Sequence, residues 1–179
     1  MNSEARQSTK VEHSSGGEAL EVCFARLQPK LMGLIYHMVG NHEDARDALQ
    51  ETFIKCWRHR DRLDQVEDLQ AWVFRIAINT ARDLRQTAWR RRRQPLTEFH
   101  TDVASSEVAV EVRLENREQL DRVREAIQTL RVEEKEVFLL RQNGELTYEQ
   151  IAEMLGIPTG TAKTRMRQAL QHLRRILNE

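Results

Sequence analysis

Apolar residues recur at steps of three and four along most of this chain, which is the period of an α-helix. The clearest case is the stretch Glu43–Arg60, whose apolar residues share one helical stripe while the opposite side is polar. Glycine (7) and proline (3) are scarce among the 179 residues, and runs of β-branched residues are rare. The sequence therefore predicts an all-α fold.

The same period places the neighbouring helices. Upstream, Ala19–Val39 is a candidate helix that Pro29 is expected to kink or split. Asn41 is the expected N-cap of the helix that follows it. Downstream, Asp68–Arg92 has two apolar stripes, which is typical of a helix at the centre of a bundle.

These helices group into two small helical domains joined by an acidic linker. Residues 1–19 are polar and lack the apolar segment of a signal peptide, so we expect a disordered tail. The N-terminal domain spans residues 20–93, the linker 94–118 and the C-terminal domain 119–178. In the C-terminal domain, one apolar stripe and three further helices are predicted: Leu120, Val123, Ile127 and Leu130 in the stripe, then helices near Glu133–Gln142, near Thr147–Leu155 and from Thr159.

A formal net charge of zero conceals strong segregation of charge. Residues 82–93 carry six arginines and one acid, and residues 156–178 carry five lysines or arginines and no acid. Between them, residues 98–121 carry seven acids and two arginines. Two basic segments around an acidic one indicate two contacts with a polyanion and a connection that avoids it. Three solvated helix faces are the alternative interpretation.

The C-terminal stretch "GIPTGTAKTRMRQALQHLRR" has the turn chemistry of a helix-turn-helix. Gly156 ends one helix, Thr159 is the expected N-cap of the next, and the small Ala152 lets the two approach closely. Side chains on the outward face of the second helix can donate to phosphates and base edges: Thr161, Lys163, Thr164, Arg165, Arg167 and Gln168. The sequence therefore predicts DNA binding, with an ordinary helical hairpin as the alternative.

Signals for other functions are weak. The sequence has no Gly-rich phosphate loop and no Ser/His/Asp arrangement, and its six histidines are scattered, so we expect no catalytic residue, metal site or cofactor. Cys23 and Cys56 fit no metal-ligand spacing and are expected in the core. No apolar segment approaches the roughly 20 residues of a membrane span, so we expect no membrane insertion and a cytoplasmic location.

Both halves resemble one known family. The segments "DARDALQETFIKCWRHRDRL" and "DLQAWVFRIAINTARDLRQ" are similar to the sigma-two domain of bacterial sigma-70-type factors. The segment "LRVEEKEVFLLRQNGELTYEQIAEMLGIPTGTAKTRMRQAL" is similar to their sigma-four domain. With only these two domains, the chain most resembles the extracytoplasmic-function (ECF) group of RNA polymerase sigma factors. The resemblance implies that the protein directs RNA polymerase core to specific promoters and promotes DNA melting.

The resemblance also assigns roles to residues. It implies that Asp47, Gln50 and Glu51 dock on the β′ clamp helices of the polymerase. The minus-ten element would meet the loop Leu63–Asp68, where one base is flipped out, and the following helix. On that helix the matched residues are Arg75, Asn79, Arg82 and Arg85.

The minus-thirty-five element would be met by the outward face of the last helix, including Lys163, Arg167 and Gln168. Further implied partners are the polymerase β flap and an anti-sigma factor. The promoter sequence does not follow from the resemblance, because Arg167 and Gln168 stand where family members vary. The alternative is a helix-turn-helix transcriptional regulator that binds duplex DNA without polymerase.

Overall fold

The computed structural model describes residues 4–92 and 112–178, with side chains over residues 16–87 and 118–178. These ranges contain seven α-helices, one 3-10 helix and no strand, so the all-α prediction is confirmed. The elements are α1 (Glu4–Val39), α2 (His42–Arg58), the 3-10 helix (Arg60–Gln65), α3 (Leu69–Arg92), α4 (Val112–Thr129), α5 (Val132–Gln142), α6 (Tyr148–Leu155) and α7 (Thr159–Leu177).

Helices α1, α2 and α3 form the N-terminal bundle, and each of them packs against the other two. The two apolar stripes predicted for α3 are buried, because Val73 and Ala77 on one stripe, and Phe74, Ile78 and Ala81 on the other, are inaccessible to solvent. A helix buried on two sides has only a narrow strip of surface left for polar residues. That strip carries the candidate DNA-binding residues of α3.

The first helix begins earlier than expected. Residues 4–19 were predicted to belong to a disordered tail, but the structure has them in α1. Gly17 is buried, and a Cβ atom at this position would lie 3.3 Å from the Trp57 ring of α2. Helix α1 therefore already packs against α2 on the N-terminal side of Leu20, the first leucine of the core. The helix is also not split at Pro29, whose ring is exposed to solvent. Extending a helix that is already packed costs little compared with starting one.

Capping side chains set the starts of α2 and α3. Asn41 is the N-cap of α2, as predicted, and its side chain accepts a hydrogen bond from the Asp44 amide at 2.8 Å. Asp68, which was expected to be the first residue of α3, stands just before that helix and accepts from the Ala71 amide at 2.9 Å. Both caps satisfy amides that have no partner within the helix.

Both cysteines are core residues, as predicted, and both are free thiols. Burial raises the pKa of Cys56 to about 12, and the neighbouring Cys23 contributes in the same direction. The thiolate is the reactive form of cysteine, so Cys56 is held in its unreactive state at neutral pH.

Helices α4 to α7 form the C-terminal domain, in which α7 packs against the other three. Helix α4 begins at Val112, inside the range predicted as linker, and residues 94–111 of that range lie outside the described part of the chain. Leu120 and Val123 were assigned to a buried stripe, yet they are 56% and 38% exposed, whereas Ile127 and Leu130 are buried. The four residues do share one face of α4, but only the C-terminal half of that face packs against another helix.

The turn between α6 and α7 has the predicted chemistry. Gly156 adopts the left-handed conformation (φ 65°), which glycine tolerates best, and the Ile157 amide donates to the Ala152 carbonyl at 3.0 Å. Thr159 is the first residue of α7 and not its N-cap. Pro158 takes the N-cap position with extended backbone, and its carbonyl accepts from the amides of Thr161 and Ala162.

Within the described ranges, no helix combines the length and the apolar character that crossing a bilayer requires.

Candidate nucleic-acid interface

Helix α7 presents the predicted basic face to solvent. Its inner side is buried through Ala162, Met166, Ala169 and Leu173. The outward side, which we call the α7 basic face, includes four exposed residues and two half-buried ones: Lys163, Thr164, Arg167 and Gln168, then Thr161 and Arg165. The structure therefore brings all six predicted residues together on one helix.

Local contacts orient two residues of the α7 basic face. Lys163 lies 5.9 Å from the centre of the Tyr148 ring, and Arg141 lies 5.3 Å from the same ring. Both cations are attracted to the aromatic ring at the start of α6, which ties α7 to its neighbouring helix. Thr164 donates its hydroxyl proton to the Gly160 carbonyl at 2.9 Å, so its oxygen faces outward mainly as an acceptor.

The first turn of α7 adds a further positive contribution. It contains no acidic residue, and the Thr161 and Ala162 amides point back to the Pro158 carbonyl. The free end of a helix dipole is positive, which favours a nearby phosphate. Together with the α7 basic face, this end of the domain can hold a nucleic-acid backbone and reach the edges of bases.

A second polar surface runs along α3, and we call it the α3 polar row: Arg75, Asn79, Arg82 and Arg85. Arg75 and Asn79 are exposed, while Arg82 and Arg85 are half-buried. Residues three and four apart share one face of a helix, so the row is continuous. It lies on the strip of α3 that the two buried stripes leave uncovered.

Two arginines of the α3 polar row are bound by carboxylates of the C-terminal domain. Arg82 donates from Nε and Nη2 to the two oxygens of Glu136, both at 2.6 Å, and Arg75 donates to Glu153 at 2.8 Å. The Glu136 side chain is only 6% exposed. The hydrogen bond from Arg82 to Glu136 is the largest influence on the Arg82 guanidinium, and it raises the pKa of Arg82 above the usual value.

Further polar contacts join the same two domains. Gln150 donates to Asp68 at 2.6 Å, and Gln70 donates to the Gly144 carbonyl at 2.7 Å. Lys30 on α1 forms an ion pair with Glu145 at 2.7 Å. The sequence does not predict these partners, because residues of different domains share no helical period, and only the fold brings them together.

Lys135 on α5 lies beside the end of the α3 polar row. It is buried, and it donates to the Gln128 carbonyl and side-chain oxygens at 3.2 and 3.1 Å. Burial lowers its pKa, and the charge of Arg85 lowers it further. Lys135 of the C-terminal domain and Arg85 of α3 therefore repel each other.

The third candidate surface is the α2 polar face, formed by Asp47, Gln50 and Glu51. Asp47 and Gln50 are exposed and Glu51 is half-buried, as expected from the helical period. The opposite side of α2 is buried against the bundle, including Thr52, which donates its hydroxyl proton to the Ala48 carbonyl. The α2 polar face is thus fixed on a well-packed helix and presents polar groups to solvent.

The predicted loop Leu63–Asp68 is short and anchored at both ends. Its first part belongs to the 3-10 helix, where Leu63 packs against the core, and its last residue, Asp68, caps α3. Four exposed residues lie between or beside these anchors: Asp64, Gln65, Glu67 and Asp68 itself. A loop held at both ends can present its polar tip to a ligand without losing position.

Family models cover both domains. The model described as Sigma-70 region 2 matches residues 23–93, and the model described as Sigma-70, region 4 matches residues 120–173. Among curated relatives, the RNA polymerase sigma factor CarQ of Myxococcus xanthus is 30% identical over 167 residues, which cover 90% of this chain and 91% of the relative. The ECF RNA polymerase sigma-E factor of Haemophilus influenzae is 31% identical over 169 residues, covering 89% and 88% of the two chains.

Solved structures agree on the fold. The sigma factor RpoE of Bartonella quintana, determined with the anti-sigma factor NepR, superposes with a TM-score of 0.69 at 21% identity and covers 90% of this chain and 95% of its own. CnrH, determined with the cytosolic domain of CnrY, gives a TM-score of 0.67 at 22% identity, with 94% and 96% covered. The two matched regions, their order along the chain and the near-complete coverage of the curated relatives make this protein a member of the sigma-70 family, an RNA polymerase sigma factor of the ECF group.

Proposed function

We propose that this sigma factor uses its three polar surfaces separately: the α2 polar face for the polymerase, the α3 polar row for the minus-ten element and the α7 basic face for the minus-thirty-five element. The observation that carries the proposal is the α7 basic face, which is exposed and free of acids on a helix whose other side is buried. Sigma factors initiate transcription together with the polymerase and are not enzymes.

The minus-ten role rests on the composition of the α3 polar row. Guanidinium groups bind phosphates along an unpaired strand, and an amide such as that of Asn79 can bond a base edge. The loop Leu63–Asp68 stands directly before this row and is the proposed place for the flipped base. Extruding a base costs a few kcal/mol, which contacts of this kind offset.

The minus-thirty-five role rests on the α7 basic face. Arginine and lysine bond guanine edges in the major groove, and glutamine bonds adenine. Arg167 and Gln168 are the exposed residues with that chemistry at the middle of the face. We expect these two to contribute most to sequence preference and Arg165, at the edge, to contact phosphate.

Two partners besides DNA belong to the proposal. The α2 polar face would dock on the β′ clamp helices, and the C-terminal domain would contact the β flap. Both solved relatives were determined with a second protein, an anti-sigma factor in the case of RpoE. We propose that an anti-sigma factor also controls this chain, and that the protein works in the cytoplasm, where the polymerase and DNA are.

Run-off transcription tests this function. Genomic DNA fragments are transcribed by core RNA polymerase with and without the protein, and new start sites that depend on it are expected. The sequences shared upstream of those starts then identify the promoter. The opposite result is that nothing initiates while the protein alone shifts specific duplex DNA, which would support a helix-turn-helix regulator.

A further inference from the structure

Three helices of the C-terminal domain each contribute one side chain to a cluster around the ring of Tyr148, the first residue of α6. The Arg141 guanidinium of α5 lies 5.3 Å from the ring centre, and the Lys163 ammonium of α7 lies 5.9 Å from it. Among the residues that the structure describes, neither cation forms an ion pair with a carboxylate. The aromatic ring is therefore the group that attracts both cations.

Tyr148 is held in place independently of Lys163. Thr147 caps α6 in a capping box: its hydroxyl accepts from the Gln150 amide at 3.2 Å, and the Gln150 side chain accepts from the Thr147 amide at 2.8 Å. Arg141 donates to the Leu146 carbonyl at 2.6 Å, which keeps its guanidinium beside the ring. The half-buried ring also packs against the core. The ring is thus a fixed support for the exposed side chain of Lys163.

An aromatic support changes what Lys163 loses when it binds an anion. A free lysine side chain has many rotamers, and fixing it on a phosphate costs conformational entropy. Attraction to the ring already restricts those rotamers in the free protein. An ammonium group has three N–H donors, so it can face the ring on one side and donate to a phosphate on another. The ring contact and the phosphate contact are therefore compatible.

The contact distinguishes one cation of the α7 basic face from the next. Lys163 lies over an aromatic ring, whereas Arg167, one helical turn further along α7, has no aromatic, carboxylate or hydrogen-bonding partner in the described part of the chain. The fold therefore orients Lys163 before any ligand arrives and leaves Arg167 to be oriented by the ligand.

We propose that Tyr148 is a positioning residue for the minus-thirty-five contact, because its ring holds the Lys163 ammonium ready to donate to a DNA phosphate. The inference rests on the role proposed for the α7 basic face. The aromatic ring carries the effect and the phenol hydroxyl does not, since the ring face is what attracts a cation. Arg141 supports the same ring from α5, so side chains of all three helices set the position of one DNA-binding group.

The test is a double-mutant cycle between positions 148 and 163. Tyr148→Phe keeps the ring, Tyr148→Leu removes it but keeps apolar bulk, and Lys163→Ala removes the cation. Fluorescence anisotropy measures the affinity of the holoenzyme for a promoter found by run-off mapping, and circular dichroism gives the Tm of each variant. If Tyr148→Leu lowers the Tm, Tyr148→Met, which is also apolar and has no ring, takes its place.

We expect Y148L to weaken promoter binding about two- to tenfold, the effect of one side chain that must be ordered on binding, and by no more than K163A. Y148F should bind like the wild type. In the K163A background Y148L should have no further effect, because the group that the ring positions is gone. In the R167A background, the matched control, Y148L should still have its full effect.

Nuclear magnetic resonance of the free protein tests the contact without DNA. Ring currents shift the side-chain resonances of a lysine that lies over an aromatic ring, and in protein with isotope-labelled lysine the K163A spectrum identifies the signals of Lys163. We expect the shift in the wild type and in Y148F, and its loss in Y148L. Identical Lys163 signals in the wild type and Y148L would overturn the inference before any promoter is used.

Three binding results would also overturn it. Wild-type affinity in Y148L would mean that the ring does not matter, and an equal loss in Y148F would assign the effect to the hydroxyl. An undiminished loss from Y148L in the K163A background would mean that Tyr148 acts independently of Lys163. Unchanged binding with K163A contradicts the proposed function of Lys163 itself, and with it the inference; this failure is recognised because it appears without any change at Tyr148.

Discussion

At the scale of single residues, the contact between the domains depends on positions that look unremarkable in the sequence. Gly144 is buried at the end of α5, and its carbonyl accepts the hydrogen bond of Gln70 from the other domain. A Cβ atom on Gly144 would lie 2.6 Å from the Leu140 carbonyl oxygen and 3.1 Å from the Leu146 side chain. A side chain there forces the backbone to move, because the nearest atom belongs to the main chain.

Gly144→Ala is therefore expected to destabilise the chain by about 1–3 kcal/mol, the usual cost of overpacking. Urea unfolding followed by circular dichroism measures the change. Gly160→Ala is the control, since a Cβ atom there meets nothing within 4 Å and alanine favours the helix by at most about 1 kcal/mol. Equal stability of the two variants would contradict the close contact at Gly144.

At the scale of elements, α2 and α7 follow the same plan, with one side buried and the other polar and accessible. The functions proposed for α2 and α7 differ because of the residues on the polar side of each helix. The α2 polar face consists of two acidic residues and one uncharged residue, which suits a protein partner. The α7 basic face contains no acidic residue. Each can therefore be altered without disturbing the core on the other side.

For α7, the variant K163A/R167A is expected to weaken promoter binding and to flatten its dependence on salt. Each lost phosphate contact changes the slope of log affinity against log salt by about 0.9, so two lost contacts change it by about 2. The control R174A/R175A removes the same charge from exposed positions at the other end of α7 and should leave the slope unchanged. Binding of the holoenzyme to a promoter found by run-off mapping provides the measurement.

For α2, the variant D47A/Q50A/E51A is expected to lower the affinity for core RNA polymerase at least tenfold, because the surface proposed for docking would lose its polar contacts. Co-purification and fluorescence titration with core enzyme measure the loss. The control E18A/E21A/Q28A likewise replaces two acids and one glutamine by alanine, at exposed positions of α1. An equal loss in both variants would mean that the effect comes from net charge and not from the α2 polar face.

At the scale of the whole molecule, the two domains are connected by the packing of α1 against α4 and α5 and by polar contacts between side chains. Exposed ion pairs such as Lys30–Glu145 and Arg75–Glu153 are individually weak in water, so they bias an arrangement without enforcing it. His37 on α1 lies at the same boundary, 3.4 Å from Gln128 of α4. Burial, then the charges of Lys135 and Arg124 from the C-terminal domain, lower the pKa of His37 to about 4.

This shift predicts a loss of stability in acid. Between pH 6.5 and pH 4, an unfolded chain binds a proton at His37 that the folded chain excludes, so the stabilisation is complete above pH 6.5 and declines as the pH falls toward 4. Thermal unfolding at pH 7 and at pH 4.5 should show a larger decrease in Tm for the wild type than for His37→Gln. Identical decreases would mean that the folded protein does not lower the pKa of His37.

Much of the fold could be predicted from the sequence because local patterns determine it. The Asn41 cap, the two stripes of α3 and the Gly156 turn each depend on neighbours within one or two helical turns. The start of α1 could not be predicted this way, since α1 extends beyond Leu20 to Glu4 and Gly17 packs against the Trp57 ring of α2. Leu120 has the right period for burial but no helix above it.

The candidate surfaces, too, were predictable where they depend on local sequence and not where they depend on contacts between domains. The sequence by itself determined which residues share a polar side of α2, α3 and α7, because a helix of period 3.6 assigns each position to a face. It also determined the family, since both matching segments are continuous stretches of chain. Only the tertiary structure decided what lies opposite those faces: Arg82 meets Glu136 from the other domain, 54 residues away in sequence. Such a pairing depends on how two domains pack, and no local period in the chain encodes it.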